Sequence, residues 1–298
     1  MALVRSLNSG VSGMQQLQQA MDVIGNNIAN ANTTGYKVAR VSFEDSFSQT
    51  LRAASPGTAT SSNSAPVQVG TGVNTSAIQT IFSQGASAVT GNTGNGDAED
   101  LFISGNGYFV VRDPLNGNQY VSRAGDFHFD EKGYLVTHNN FHVQGYSETA
   151  ATATPDTPNT SIIGDLRLTD PSRTSPISSY NIDEQGLINV TLADGSHFVR
   201  GQILLQRFQS PQALVKEGNN LFSGLIAAGP LGGATPIPAA PGAANGLGTI
   251  QAGALELSNI DLANEFANLI TTQRSFQANA KIITTSDEML QDVINLKR

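Results

Sequence analysis

Leu3, Leu7, Gly10, Met14, Leu17, Met21, Ile24 and Ile28 follow one another at alternating steps of four and three. That spacing lines one narrow stripe along a helix, with Gly10 as its one break. Gln15, Gln16, Gln18, Gln19, Asp22 and Asn26 make the back of the helix polar and nearly uncharged, and Asn32-Thr33-Thr34-Gly35 ends it with turn chemistry. The last forty residues repeat the design through Leu262, Phe266, Leu269, Gln273, Phe276, Ala280, Ile283, Asp287 and Leu290, in which only Gln273 and Asp287 carry polar functional groups. Asp261 is placed to cap the N-terminus of this second helix. At 1.5 Å per residue each helix is roughly 40 Å long, and a stripe that narrow needs a helical partner. The two helices can pair with each other. A hairpin of two helices has little core of its own, however, so neighbouring copies of the chain are expected to supply the missing burial.

Between the helical ends the period changes to two. Tyr108-Phe109-Val110-Val111, Phe127-His128-Phe129, Tyr134-Leu135-Val136 and Ile203-Leu204-Leu205 read as strands, and Asp194-Gly195 reads as a two-residue hairpin turn. Phe129-Asp130-Glu131-Lys132-Gly133-Tyr134-Leu135 has a weak echo in Ile182-Asp183-Glu184-Gln185-Gly186-Leu187-Ile188. The predicted class is therefore α+β, with long N- and C-terminal coiled-coil-type helices flanking an inserted, mainly antiparallel β-domain. Residues 1–35 and 255–298 form the helical polymerisation domain, 36–76 a connecting segment, 77–226 the β-domain, and 227–254 a Gly/Ala/Pro-rich linker.

Composition narrows the function. A net charge of −8 with no basic run argues against nucleic acid. The absence of cysteine removes disulfides, thiolate chemistry and Cys-based metal sites. No stretch approaches the roughly 20 apolar residues of a membrane span, so no membrane insertion is expected. The start of the chain lacks the apolar run of a secretory signal, which points to the cytosol or to export without a cleavable signal. His138 and His142 stand four apart, but Asn139-Asn140 between them is a turn signal, so no metal site is expected. Gly105-Asn106-Gly107 lacks the third glycine and the helix of a dinucleotide loop. Asp97, Glu99 and Asp100 read as a solvated acidic face. No catalytic constellation and no cofactor are expected. Only 13% of the residues are charged, against about 25% in an ordinary soluble domain; surfaces that meet other protein surfaces have this character.

Residue order goes further. The run Met21-Asp22-Val23-Ile24-Gly25-Asn26-Asn27-Ile28-Ala29-Asn30-Ala31-Asn32-Thr33-Thr34-Gly35-Tyr36-Lys37 resembles the N-terminal signature of the bacterial flagellar rod and hook axial proteins. Gly253-Ala254-Leu255-Glu256-Leu257-Ser258-Asn259-Ile260-Asp261-Leu262, followed by Gln273-Arg274-Ser275-Phe276-Gln277-Ala278-Asn279-Ala280, resembles their C-terminal signature. Ile103-Ser104-Gly105-Asn106-Gly107-Tyr108-Phe109 and Tyr120-Val121-Ser122-Arg123-Ala124-Gly125-Asp126-Phe127 look like their β-domain motif. The family positions are Asn26, Asn27, Asn30, Gly35, Tyr36, Ser258, Asn259, Gln273, Arg274 and Asn279.

The resemblance implies a non-enzymatic structural subunit, a helical homopolymer with itself. Its implied partners are other flagellar axial proteins (rod, hook-filament junction and hook cap) and the flagellar type III export apparatus. Leu3, Leu7, Met14, Leu17, Met21, Ile24, Ile28, Leu262, Phe266, Leu269, Phe276, Ile283 and Leu290 would pack the polymer core. The run 273–281 and the ending Val293-Ile294-Asn295-Leu296-Lys297-Arg298 look most like the hook members, placing the chain in an extracellular hook that transmits motor torque. The alternative is a distal rod subunit of the basal body. A reading of another class, a secreted adhesin or enzyme with helical dimerisation ends, predicts a ligand pocket in the β-body and a stable dimer.

Overall fold

The computed structural model describes residues 2–54, 63–91, 99–147, 163–168, 176–231, 240–242 and 246–296, with the side chains of residues 2–4 outside the description. Met1, Asp97, most of the stretch between Ser147 and Pro176, most of the linker after Leu231, and the terminal pair Lys297 and Arg298 lie outside the described residues. The chain divides into two compact units, Met1–Ala31, Val38–Ile81 and Ile260–Arg298 on one side, and Asn32–Lys37 with Phe82–Asn259 on the other.

The first unit holds helix α1 (Ala2–Ala29), strands β1 (Ala39–Asp45), β2 (Ser48–Arg52), β3 (Val67–Gly70) and β4 (Val73–Thr80), and a long C-terminal helix, Leu262–Leu296. That helix begins where the sequence places its cap: Asp261 Oδ1 accepts from the backbone N–H groups of Ala263 (3.0 Å) and Asn264 (3.3 Å). Residues 36–76, read as a connection, carry regular structure instead. β1 pairs antiparallel with β4 and β2 with β3. β1 does alternate, as Ala39-Arg40-Val41-Ser42-Phe43-Glu44, whereas β2 is exposed at every residue and offers no such pattern.

The second unit is an antiparallel β-structure. Its strands are β5 (Ser87–Val89), β6 (Glu99–Ser104), β7 (Tyr108–Arg112), β8 (Gln119–Ser122), β9 (Asp126–Phe129), β10 (Leu135–Thr137), β11 (His142–Ser147), β12 (Ile163–Asp165), β13 (Ile177–Ile182), β14 (Leu187–Leu192), β15 (His197–Ile203), β16 (Leu205–Gln206), β17 (Val215–Gly218), β18 (Leu221–Ser223), β19 (Thr249–Ala252) and β20 (Ala254–Glu256). The main sheet runs β17-β18-β8-β7-β11-β10-β9-β6-β19, with β14 and β13 reached through β15, which pairs with β11. The C-terminal helix is accordingly α2.

Period two decides which side chains enter which core. Along β7, Phe109 and Val111 face a large cluster with Leu101, Phe127, Val143 and Ile203, whereas Tyr108 and Val110 face a second cluster with Phe208, Phe222 and Leu225. Phe109 and Phe127 meet edge to face at 5.0 Å between ring centroids. Ile188, fully buried in the larger cluster, gives a calibrated test: Ile188→Val should cost about 1 kcal/mol and lower the melting temperature of the full chain by about 2–4 °C, read by calorimetry.

The echoed sequences fold alike. Asp130 Oδ1 accepts from Tyr134 N–H and Asp183 Oδ1 from Leu187 N–H, and Gly133 and Gly186 take the left-handed φ values of 82° and 73°. Three readings need correction. The hairpin at Asp194-Gly195 forms, but Gly195 alone has positive φ, so the turn is not the two-residue type that needs it at both positions. Ile203-Leu204-Leu205 is not one strand: Ile203 ends β15 and Leu205 begins β16 on a different neighbour. Glu99 and Asp100 are not a solvated face but are buried in β6, where Asp100 stands opposite Asp126; burial holds the Asp126 carboxyl above the usual carboxylate range.

Candidate assembly interface

α1 and α2 lie antiparallel and touch through small and polar groups. Ser6 Oγ lies 3.5 Å from Ser286 Oγ. A Cβ added to Gly10 would be 3.2 Å from Ile283 Cγ1, and one on Gly13 would be 2.7 Å from Asn279 Nδ2. At the other end, Asn27 Nδ2 donates to Glu265 Oε2 at 3.1 Å. Asn27 also exchanges hydrogen bonds with the backbone of Ala39, which fixes the start of β1 against α1. Glu265, Asn27 and Ser286 are all buried.

This seam is related to the apolar stripe by a one-residue rotation of half its members. Gly10, Leu17 and Ile24 belong to both, while Ser6, Gly13, Ala20 and Asn27 stand one position before Leu7, Met14, Met21 and Ile28. On α2, Leu269, Phe276, Ile283 and Leu290 are half-buried. Glu265, Thr272, Asn279 and Ser286 stand one position before Phe266, Gln273, Ala280 and Asp287, so Gln273 and Asp287 fall on the exposed side. Small residues allow the two backbones to approach closely. The consequence is that large apolar groups are displaced outward: Phe266 is 49% exposed and Ile270 53%. Leu262, Ile282, Met289 and Val293 are exposed as well. Leu7, Met14, Leu17, Met21, Ile24 and Ile28 are half-buried, and the side chain of Leu3 is outside the description.

The family positions separate into two places. Asn27 and Asn279 sit in the helix seam, Asn30 Nδ2 donates back to Asn26 O at 2.9 Å, and Gln273 and Arg274 are exposed. Gly35, Tyr36, Ser258 and Asn259 belong to the other unit, around a charge cluster that sequence reasoning missed. Glu256 Oε1 accepts from Lys37 Nζ at 2.6 Å and from the Gly85 N–H at 2.8 Å, while Oε2 accepts from Arg123 Nη1 at 3.3 Å. The Lys37 and Glu256 side chains are 1% and 0% exposed. Burial pulls the Lys37 ammonium below the ordinary lysine range, against the opposing pull of Glu256. Lys216, also lowered by burial, lies 4.4 Å from the centre of the Tyr36 ring. A signal was present: Lys37, Arg123 and Glu256 each end or interrupt one of the three runs on which the resemblance rests. His142, on β11, instead places Nδ1 2.9 Å from Asp165 Oδ2.

These surfaces are built for packing and charge pairing. Three family models match the chain: "Flagella basal body rod protein" over residues 7–37, "Flagellar hook protein FlgE/F/G D1 domain" over 102–190, and "Flagellar basal body rod FlgEFG protein C-terminal" over 251–296. The chain is 38% identical over 296 residues to the flagellar basal-body rod protein FlgG of Bacillus subtilis, covering 99% of this chain and 100% of that one. It is 34% identical over 298 residues to the rod protein FlgG of Buchnera aphidicola, with the same coverage. To the flagellar hook protein FlgE of Borreliella burgdorferi it is 28% identical over an alignment of 459 residues, again covering 99% of this chain and 100% of that one.

Proposed function

The chain belongs to the flagellar rod and hook axial protein family of structural proteins, and on that premise we propose that it is a rod subunit of the basal body, polymerising with itself and with neighbouring axial proteins. The observation that carries the rod reading is length. Alignments to the two rod proteins span 296 and 298 residues and account for the whole of each partner, whereas the hook alignment needs 459. The hook reading keeps its own support in the run 273–281 and the ending 293–298.

In either reading the working surface is the exposed face of α2 with the apolar residues of α1, which would form the coiled-coil core of the polymer. Intrachain pairing through small residues leaves Phe266, Ile270 and their neighbours in water, and a second copy offers the same chemistry in return. Export through the flagellar type III apparatus accompanies this reading. An epitope tag in the 148–162 segment, visualised with gold on isolated hook-basal bodies by electron microscopy, should mark the straight rod; label confined to the curved hook would replace the rod reading with the hook.

A further inference from the structure

Three widely separated pieces of chain converge on Glu256. Gly35 N–H donates to the Glu256 main-chain oxygen at 2.7 Å, and Lys37, 219 residues away in sequence, reaches its carboxylate. Lys37 Nζ donates as well to Ser83 O at 2.8 Å, and Asn259 Nδ2 donates to Ser83 Oγ at 2.9 Å. Arg123 completes the cluster by donating through Nη2 to Gly105 O at 2.8 Å. Segment 32–37 is held again from outside, by Asn220 Nδ2 to Thr34 O at 2.8 Å and Lys216 Nζ to Lys37 O at 2.9 Å. The pieces that meet Glu256 are those that follow α1 (32–37), follow β4 (83–85) and follow β8 (Arg123), and Glu256 itself stands in the stretch that precedes α2 (256–259).

We propose that the Lys37–Glu256–Arg123 cluster is a clamp that keeps the bases of the two terminal helices side by side in the subunit before it assembles. Every member of it lies in the second unit, which holds neither helix, so it closes without help from helix pairing. A buried carboxylate stripped of both cationic partners would be left uncompensated, which resists opening of the clamp. Free segments would meet only after a random search whose probability falls with loop length; segments fixed at their bases begin the search already together. The clamp's purpose rests on the proposed assembly of the helices, but its existence does not.

The chain has no cysteine, so exposed Asn32 and Leu257 can each be replaced by Cys in the full-length protein to carry two spin labels. In dilute monomer the label pair should give one narrow distance. Glu256→Gln and, separately, Lys37→Met should broaden it and speed amide exchange at Gly35 and Gly85 at least tenfold, while Val110 and Val111 in β7 stay within twofold. The clamp is ruled out if Gly35 keeps its protection in both variants, or if it loses protection only together with β7, which would mark general destabilisation. A chain that never polymerises would overturn the proposed function and leave these monomer readings untouched.

Discussion

Phe266→Asp should abolish polymerisation and leave the monomer's circular dichroism and melting curve unchanged, whereas Phe276→Asp should reduce helix content in the monomer itself. Both residues belong to the apolar stripe of the sequence, yet the structure puts them in different places. Phe266 is half in water. Phe276 lies one heptad before Ile283, whose side chain packs on Gly10. A charge placed at an exposed helix position changes stability by no more than about 0.5 kcal/mol. In a polymer the same aspartate forfeits the burial of a phenylalanine, about 1.5–3 kcal/mol, and buries a carboxylate without a partner, which costs several kcal/mol more. A loss of about 4 kcal/mol per contact raises the concentration needed for assembly about a thousandfold. Sedimentation and negative-stain microscopy read the first variant and far-ultraviolet circular dichroism the second. Normal polymers from Phe266→Asp would remove this face of α2 from the interface.

The divergence of these two phenylalanines shows what a sequence makes legible. Four-three spacing marks both helices, and Asp261 marks where α2 starts, because helix geometry and capping are local. Alternation does the same for Tyr108 to Val111, and a pair of Asp-x-x-Gly loops is visible as an echo because the same side chain closes each loop. Spacing does not say which partner an apolar stripe meets. Large side chains dominate the pattern, while the intrachain seam uses Gly10, Gly13, Ala20 and Ser286, whose merit is that they are small. Among the ribbons, β1 carries a legible alternation, Ala39-Arg40-Val41-Ser42-Phe43-Glu44, while β2, exposed throughout, carries none. Glu256 stays hidden for a third reason, since its partners come from residues 37, 85 and 123 and only the folded chain brings them together. Even Glu99 and Asp100 obey this rule, for a charged pair reads as surface until a strand pairing buries it.

Gly13→Leu should separate the terminal helices, with most of the helical circular dichroism lost in the monomer and no polymer formed. At this layer a single added carbon already meets Asn279 Nδ2 at 2.7 Å, and an isobutyl group has no space to enter between the backbones. Overpacking of a close contact costs about 1–3 kcal/mol, and helices held by one seam have little else to oppose it. The adjacent layer, where Gly10 meets Ile283, would open with it. Gly13→Ala separates size from backbone freedom. Its Cβ strikes only the far end of an amide side chain, which can turn aside, and alanine favours a helix over glycine by about 1 kcal/mol, so the variant should stay within about 1 kcal/mol of the parent. Gly25→Ala completes the comparison, because nothing lies within 4 Å of a Cβ there. The monomer should gain helix stability by up to about 1 kcal/mol from the same propensity. Should Gly13→Leu keep full helicity and a parental melting curve, α1 and α2 do not pair through the small-residue seam in solution.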